Sequence, residues 1–226
     1  GRSRGAIAAV ALGAAAVAAA GGRVLSEAFG PDRRLDAESE YIDMVKAVVG
    51  SDSVRALLTT TSLLSADSPV NDDHLFTNLL RNELVKDIHC FFDPEQQQFH
   101  SVVRIGSDCC GHPTIVHGGL TAAIMDEAFG GLIFCMKRWK MLGPGPPFTV
   151  KLEVNYHKPL KANTMVVCST ALESEEGRKV WMTANVVDSK TKQVYASGRA
   201  LFVTPRLTVE KPWTLLAWAK SIVMFW

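Results

Sequence analysis

The chain has 226 residues, 47% hydrophobic and 21% charged, enough for one domain with a sizeable core plus extensions and unlike a disordered or low-complexity protein. Lys plus Arg number 24 against 23 Asp plus Glu, so a formal charge of +1 gives no general drive toward nucleic acid, and none is expected as a partner. The five Cys are odd in number and form no CxxC pair, which argues against a disulfide framework and for a reducing compartment.

Residues 5–22 carry no charge, include ten Ala, and are flanked by Arg2, Arg4 and Arg23. As a helix the segment would span about 27 Å, close to the thickness of a bilayer core. Gly5, Gly13 and Gly21 leave smooth faces suited to close helix packing. A membrane-spanning or partner-buried helix is expected, the other reading being the apolar part of a targeting peptide. A chain that starts at Gly1 reads as already trimmed. Residues 31–86 read as a helical lead-in that connects or shields. DAESEYIDMVKAVVG stops at Gly50, and SVRALL and HLFTNLLRNELV read as two further helices around SADSPVNDD. His74 and His89 read as ordinary surface or core histidines.

From Ile88 the periodicity changes from helical to alternating. IHCFFD, the turn PEQQ and FHSVVRIG predict a hairpin. After SDCCGHPTIV, the stretch HGGLTAAIMDEAFGGLIFCMK predicts a helix of about five turns starting at its Gly pair. A GPGPP loop follows. In FTVKLEVNYHK, Phe148, Val150, Leu152, Val154 and Tyr156 fall on one face, and Thr149, Lys151, Glu153, Asn155 and His157 on the other. Three more strands, separated by short turns, read as an antiparallel meander. The class is α+β: about six antiparallel strands curled around one long helix. One helix cannot cover both faces of such a sheet, so a second copy is the simplest further partner. The boundaries are 1–30 for the apolar helix and flank, 31–86 for the lead-in, 87–205 for the sheet-and-helix domain and 206–226 for the tail. The tail carries Trp213, Trp218 and Trp226 beside Lys, which suits either a membrane interface or packing on its own domain.

The chemistry is concentrated at His117, Gly118, Gly119 and Asp126. A Gly pair at a helix start exposes backbone N–H groups at the positive end of the helix dipole, where a developing oxyanion is stabilised. Asp126 lies nine residues after His117, about 13 Å along the axis and half a turn away. One helix therefore cannot aim both groups at one atom, whereas two antiparallel helices related by a dyad can. A carboxylate placed there attacks a thioester or activates water. Cys109 and Cys110 with His112 and His117 fit no usual zinc spacing, and no metal site is expected.

VHGGLTAAIMDEAFG resembles the hotdog-fold acyl-CoA thioesterases of the PaaI-like branch, including the mitochondrial members. The resemblance extends through FTVKLEVNYHKPL, EEGRKVW and ASGRALFV, from about Asp87 to Pro205. It implies a hotdog fold, a homodimer or other hotdog pairing, and hydrolysis of acyl-CoA with no metal or redox cofactor, coenzyme A being part of the substrate. It also implies site roles. The Gly118 N–H, with Gly119 adjacent, polarises the thioester carbonyl, and His117 shapes the turn. Asp126 is nucleophile or general base, and Thr149 positions it or the attacking water. Asn155, His157, Glu175, Glu176, Gly177, Arg178, Lys179 and Val180 contact coenzyme A. Where many members keep an Asn, this chain has Gly111, so one contact is missing or comes from His112. The MLGPGPP loop alters the acyl pocket, and Glu127 adds a second charge beside Asp126.

A second reading follows from the ends: a non-catalytic hotdog subunit of an organellar membrane complex, tethered through residues 5–22 and 212–226. The compartment expected in either case is an organelle, with the mitochondrial inner membrane favoured and the plastid second.

Overall fold

The computed structural model describes residues 39–50, 58–59, 74–143 and 145–205. The expected apolar helix at 5–22 and the Trp-rich tail lie outside these residues. In chain order the elements are α1 (Ser39–Val49), β1 (Leu58–Thr59), α2 (Leu75–Arg81), β2 (Val85–Asp93), β3 (Gln98–Ile105), β4 (Cys110–His112), β5 (Ile115–Val116), α3 (Gly118–Arg138), β6 (Phe148–Tyr156), β7 (Met165–Glu176), β8 (Lys179–Asp188) and β9 (Val194–Val203). One antiparallel sheet has the order β1-β2-β3-β7-β8-β9-β6, and β4 pairs with β5 in a small second sheet. Six long strands and the two-residue β1 wrap α3, which is the hotdog arrangement expected from the sequence.

α3 forms because His117 caps its first turn and Lys137 and Arg138 lie in its last, where the dipole favours positive charge. Thr121, Ile124, Met125, Ala128, Leu132, Cys135 and Met136 recur at helical spacing and are buried, joined by Phe129 and Ile133. The helix is long and apolar enough to cross a membrane by composition, but half of that surface is buried inside this protein. Phe129, Leu132 and Ile133 are fully buried, and each such side chain contributes about 1.5–3 kcal/mol.

The strands facing α3 are buried on both sides, which explains their unbroken apolar runs. In β2, β3 and β7, Phe92, Phe99, Val103, Val166 and Cys168 pack in the core around α3. Their neighbours Phe91, Val102 and Val167 point outward, where Ile42 and Val45 of α1 cover them. The Tyr41 ring stacks on His89 at 3.7 Å, so α1 lies on the outer face of this half of the sheet. Over β8 and β9 the outer face is polar instead: Arg199 lies 4.0 Å over the Trp181 ring and is bonded twice to Glu173 at 2.7 Å.

Two expectations are corrected. The reading of HLFTNLLRNELV as one helix fails after Arg81, where Asn82 caps α2 and Glu83 takes φ +56°, and Val85 begins β2. Gly106 fixes this turn: its N–H donates to Leu84 O at 2.9 Å, and a Cβ there would collide with Glu83 O. In SVRALL, Leu58 belongs to a strand that pairs with Phe92 rather than to a helix, and residues 53–57 lie outside the described set. The expected meander is present in β7, β8 and β9, and β6 lies outside it. It pairs with β9 and forms the edge of the sheet. Residues 157–164 carry the chain from that edge toward the sheet centre, held by Val116 N–H to Leu160 O at 2.8 Å and Ala162 N–H to Thr114 O at 2.9 Å.

Two adjacent glycines of α3 make opposite predictions. A Cβ at Gly131 would lie 2.5–2.9 Å from the Phe99 ring, whereas one at Gly130 would meet nothing within 4 Å. Gly131→Ala is expected to cost about 1–3 kcal/mol through overpacking. Gly130→Ala is expected to be neutral or to stabilise by up to about 1 kcal/mol through helix propensity. Urea denaturation of both variants checks the pair.

Candidate active site

The first turn of α3 is set by one imidazole. His117 is the N-cap, and its Nδ1 accepts the Gly119 N–H at 2.9 Å, which leaves the ring proton on Nε2 in the neutral form. The His117 N–H donates to Cys109 O at 2.8 Å, fixing the residue to the start of β4. The Gly119 amide is therefore occupied. The Gly118 N–H bonds to no atom among the described residues and lies at the positive end of α3. Tyr156, at the end of β6, donates its hydroxyl to Gly118 O at 2.8 Å and holds the same turn from outside the helix.

Gly111 has a steric reason. A Cβ there would lie 3.1 Å from His117 Cδ2 and 3.3 Å from its Cα, so an Asn at this position would require the capping ring to shift. His112 is exposed in β4.

Two turns along α3, Asp126 accepts a hydrogen bond from Thr149 Oγ1 to Oδ1 at 3.0 Å. Burial raises its pKa above the ordinary Asp range, and the Thr149 bond acts in the opposite direction. The sequence put Thr149 on the face of β6 opposite Leu152 and Val154. A β-bulge at Val150 overturns that assignment. Thr149 lies opposite Phe202, and after the bulge Leu152 and Val154 lie opposite Ala200 and Gly198, so all three share the side facing the helix. The extra residue is what aims Thr149 at Asp126.

Glu127 is the second carboxylate. Burial, with a further contribution from the Asp126 charge, raises its pKa to about 7. Its Oε1 lies 3.7 Å from His74 Nε2 at the start of α2. It lines a cavity of about 40 Å³ that is otherwise mainly apolar, walled by Phe76, Phe99, Ile124 and Phe134.

The remaining expected residues fall at two ends of the sheet. At one end Asn155 lies opposite Ser197, and His157 Nε2 is 2.8 Å from Ser197 Oγ, close to Tyr156 and the helix start. At the other end is the β7–β8 hairpin. Glu175 pairs with Val180 and Glu176 with Lys179 around Gly177 at φ +62°, and Val180 is buried opposite Phe202. Arg178 commits one N–H to Thr204 O at 2.9 Å. Lys137 donates to Gly143 O and Gly145 O, each at 2.6 Å, and fastens the GPGPP loop there. Phe202 and Ser197 are five residues apart on β9, about 17 Å. One protomer thus joins Gly118, Tyr156, Asn155 and His157 at one end, and Asp126, Thr149 and residues 175–180 at the other. It does not bring the two groups together. The sequence reading missed Tyr156, which it counted as one more apolar-face residue of β6. The signal available was a phenol ending that run beside the loop leading away from the helix start.

Comparison with known proteins places these residues in context. The thioesterase superfamily model matches residues 113–195, which include α3, β6, β7 and β8. The chain is similar to acyl-coenzyme A thioesterase THEM5 of Homo sapiens, 28% identical over 175 residues, covering 77% of this chain and 68% of that protein. It is similar to acyl-coenzyme A thioesterase THEM4 of Mus musculus, 28% identical over 139 residues, covering 62% and 56%. It also resembles the uncharacterized mitochondrial membrane protein FMP10 of Saccharomyces cerevisiae, 23% identical over 112 residues, covering 50% and 45%. The chain therefore spans roughly half to two thirds of the length of these relatives.

Glu127 gives a pH test of the geometry. With its pKa raised from the ordinary 4.5 to about 7, the folded chain holds a proton that the unfolded chain has released. Stability therefore falls as pH rises through that window. Glu127→Gln removes the penalty and is expected to gain on the order of 1 kcal/mol relative to wild type between pH 5 and pH 8, discounted for the partial exposure of the side chain. Denaturation at the two pH values measures it, and equal differences at both would contradict the placement of this carboxyl.

Proposed function

We propose that this chain, whose residues 113–195 match the thioesterase superfamily model, hydrolyses acyl-coenzyme A to the free acid and coenzyme A at a site shared between two protomers. The observation that carries this reading is the pairing of an unoccupied amide with a tuned carboxylate. The Gly118 N–H is held open by the His117 cap, and Asp126 is buried enough to be a stronger base than a surface Asp. The relatives named as acyl-coenzyme A thioesterases support the substrate class.

A dimer solves the geometric problem. β6 is an edge strand with an open hydrogen-bonding side, and Phe148, Val150 and Tyr156 on it are 52%, 62% and 56% exposed. Antiparallel pairing of two β6 edges about a dyad near Leu152 and Glu153 sets the helix start of one protomer beside Asp126 of its partner. The same operation sets Asn155 and His157 beside the partner's hairpin 175–180, which unites the two halves of the coenzyme A contact. The thioester oxygen then receives the Gly118 N–H as it gains charge. Asp126 of the other protomer attacks the carbonyl or takes a proton from water, with Thr149 holding Oδ1 so that Oδ2 is free to react. Arg178 and Lys179 pair with phosphates of the nucleotide.

We place the protein in the mitochondrion, membrane-associated through residues 5–22. The mitochondrial membrane relative and the Arg-flanked apolar segment support that placement. Recovery of the full chain in a mitochondrial membrane fraction after salt washing is the expected result, and recovery in the cytosol contradicts it.

Thiol release from an acyl-CoA panel tests the activity. Asp126→Asn is expected to lower kcat by about 10²–10⁴. Gly118→Pro removes the proposed oxyanion amide and suits the backbone, because His117 already has the φ −59° and ψ 130° that precede proline and Gly118 is the first helical residue, while its Cβ would lie in ordinary contact with the Tyr156 ring at 3.4 Å. A loss of about 10²–10³ in kcat with unchanged circular dichroism is expected. Thr149→Val removes the bond that holds the Asp126 pKa down, so the acid limb of the kcat/KM profile is expected to move to higher pH. No thiol release by folded wild type would contradict the activity.

A further inference from the structure

Cys109 and Cys110 are adjacent thiols next to the helix start that the proposed chemistry does not use. None of the five cysteines is in a disulfide, and Cys90, Cys135 and Cys168 are buried, whereas Cys110 is exposed and Cys109 half-buried. Both side chains turn back on one loop: Cys109 Sγ donates to Gly106 O at 3.4 Å and Cys110 Sγ to Ser107 O at 3.3 Å. Two thiols therefore hang from consecutive carbonyls at the surface. His112 and His117 stand nearby, but no group of three metal-ligating side chains exists among the described residues.

The backbone at this pair is the support of the cap. Cys109 O accepts the His117 N–H at 2.8 Å, Cys110 pairs with Val116 across β4 and β5, and Gly111 lies against the His117 ring. Cys110 begins β4 and Cys109 precedes it, and the two thiols hold separate carbonyls. Joining the two sulfurs through one atom pulls the 109–110 peptide out of that geometry and takes the Cys109 carbonyl and the Gly111 wall with it.

We propose that Cys109 and Cys110 form a dithiol site for a thiophilic trivalent arsenic centre, and that its occupation displaces the His117 cap and the Gly118 amide. With phenylarsine oxide as the probe, two As–S bonds form and the As–O bond breaks. Both thiol protons leave with the oxide as water, and no oxidation state changes. The exposed Cys110 reacts first. Cys109 follows within the same complex, since burial and then the neighbouring Cys110 raise its pKa and make it the slower partner. The coupling to activity rests on the oxyanion role proposed for Gly118, while the labelling does not.

The test is intact-mass analysis and ¹⁵N-amide spectra of the folded full chain with and without phenylarsine oxide. One phenylarsenic group per chain is expected, resistant to excess 2-mercaptoethanol and removed by 2,3-dimercaptopropanol. The Gly118 and Gly119 amide resonances are expected to move on labelling. Cys109→Ser and Cys110→Ser, whose side chains lie outside the proposed machinery, are expected to lose the monothiol-resistant label. Thiol release by labelled wild type is expected to fall at least tenfold and to return with the dithiol. A wild type that takes no label, a label that survives either Ser substitution, or labelling that leaves both amides unmoved would overturn the proposal. If wild type shows no thioesterase activity, the mass and amide readouts still decide it.

Discussion

The hydrogen bond from the Gly119 N–H to His117 Nδ1 is the constraint on which the site depends. A helix start has several unpaired N–H groups, and water or side chains normally satisfy them. Here one imidazole takes the second glycine's amide and leaves the first without a partner among the described residues. Everything near it holds that ring in place: Cys109 O on the His117 N–H, Gly111 against the ring face, and the Tyr156 hydroxyl on Gly118 O. These supports come from a short hairpin and from the sheet edge, so the orientation of the amide is fixed by tertiary structure rather than by the helix alone.

The second half of the proposed chemistry is built by different means. Asp126 obtains its raised pKa from burial beneath the sheet edge and is restrained by Thr149, which reaches it only because β6 bulges at Val150. A bulge next to a functional side chain re-aims it at the expense of one ladder bond. That distortion sits on the edge strand, where one side of the ladder is already open. Edge position, bulge and exposed apolar residues on β6 are the features that the proposed dimer uses.

Much of the fold was legible in the sequence. The α3 boundaries, the β2–β3 hairpin and the β7–β9 meander follow from periodicity and turn chemistry, because each is specified by residues close in the chain. What escaped depends on distant contacts. Gly106 ends α2 from twenty-five residues beyond Arg81, and the long crossover at 157–164 decides that β6 is an edge. Alternation also failed at Val150, since one inserted residue inverts the faces before it, and no local signal in FTVKLEVNY marks the insertion. For the site, HGG with a spaced Asp identified the helix start and the carboxylate. The amide left open, the Tyr156 contact and the separation of the proposed coenzyme A residues to two ends required coordinates.

The central claim is that one protomer supplies the amide and the other the carboxylate. Mixed dimers test it most directly: Gly118→Pro and Asp126→Asn proteins are unfolded together, refolded and assayed beside each parent. A shared site predicts that two inactive parents regain about a quarter of wild-type thiol release, since half of the dimers are hybrid and each hybrid holds one intact site. Release no greater than the mean of the parents, from mixtures shown to contain hybrids, would contradict the account and return both groups to a single chain.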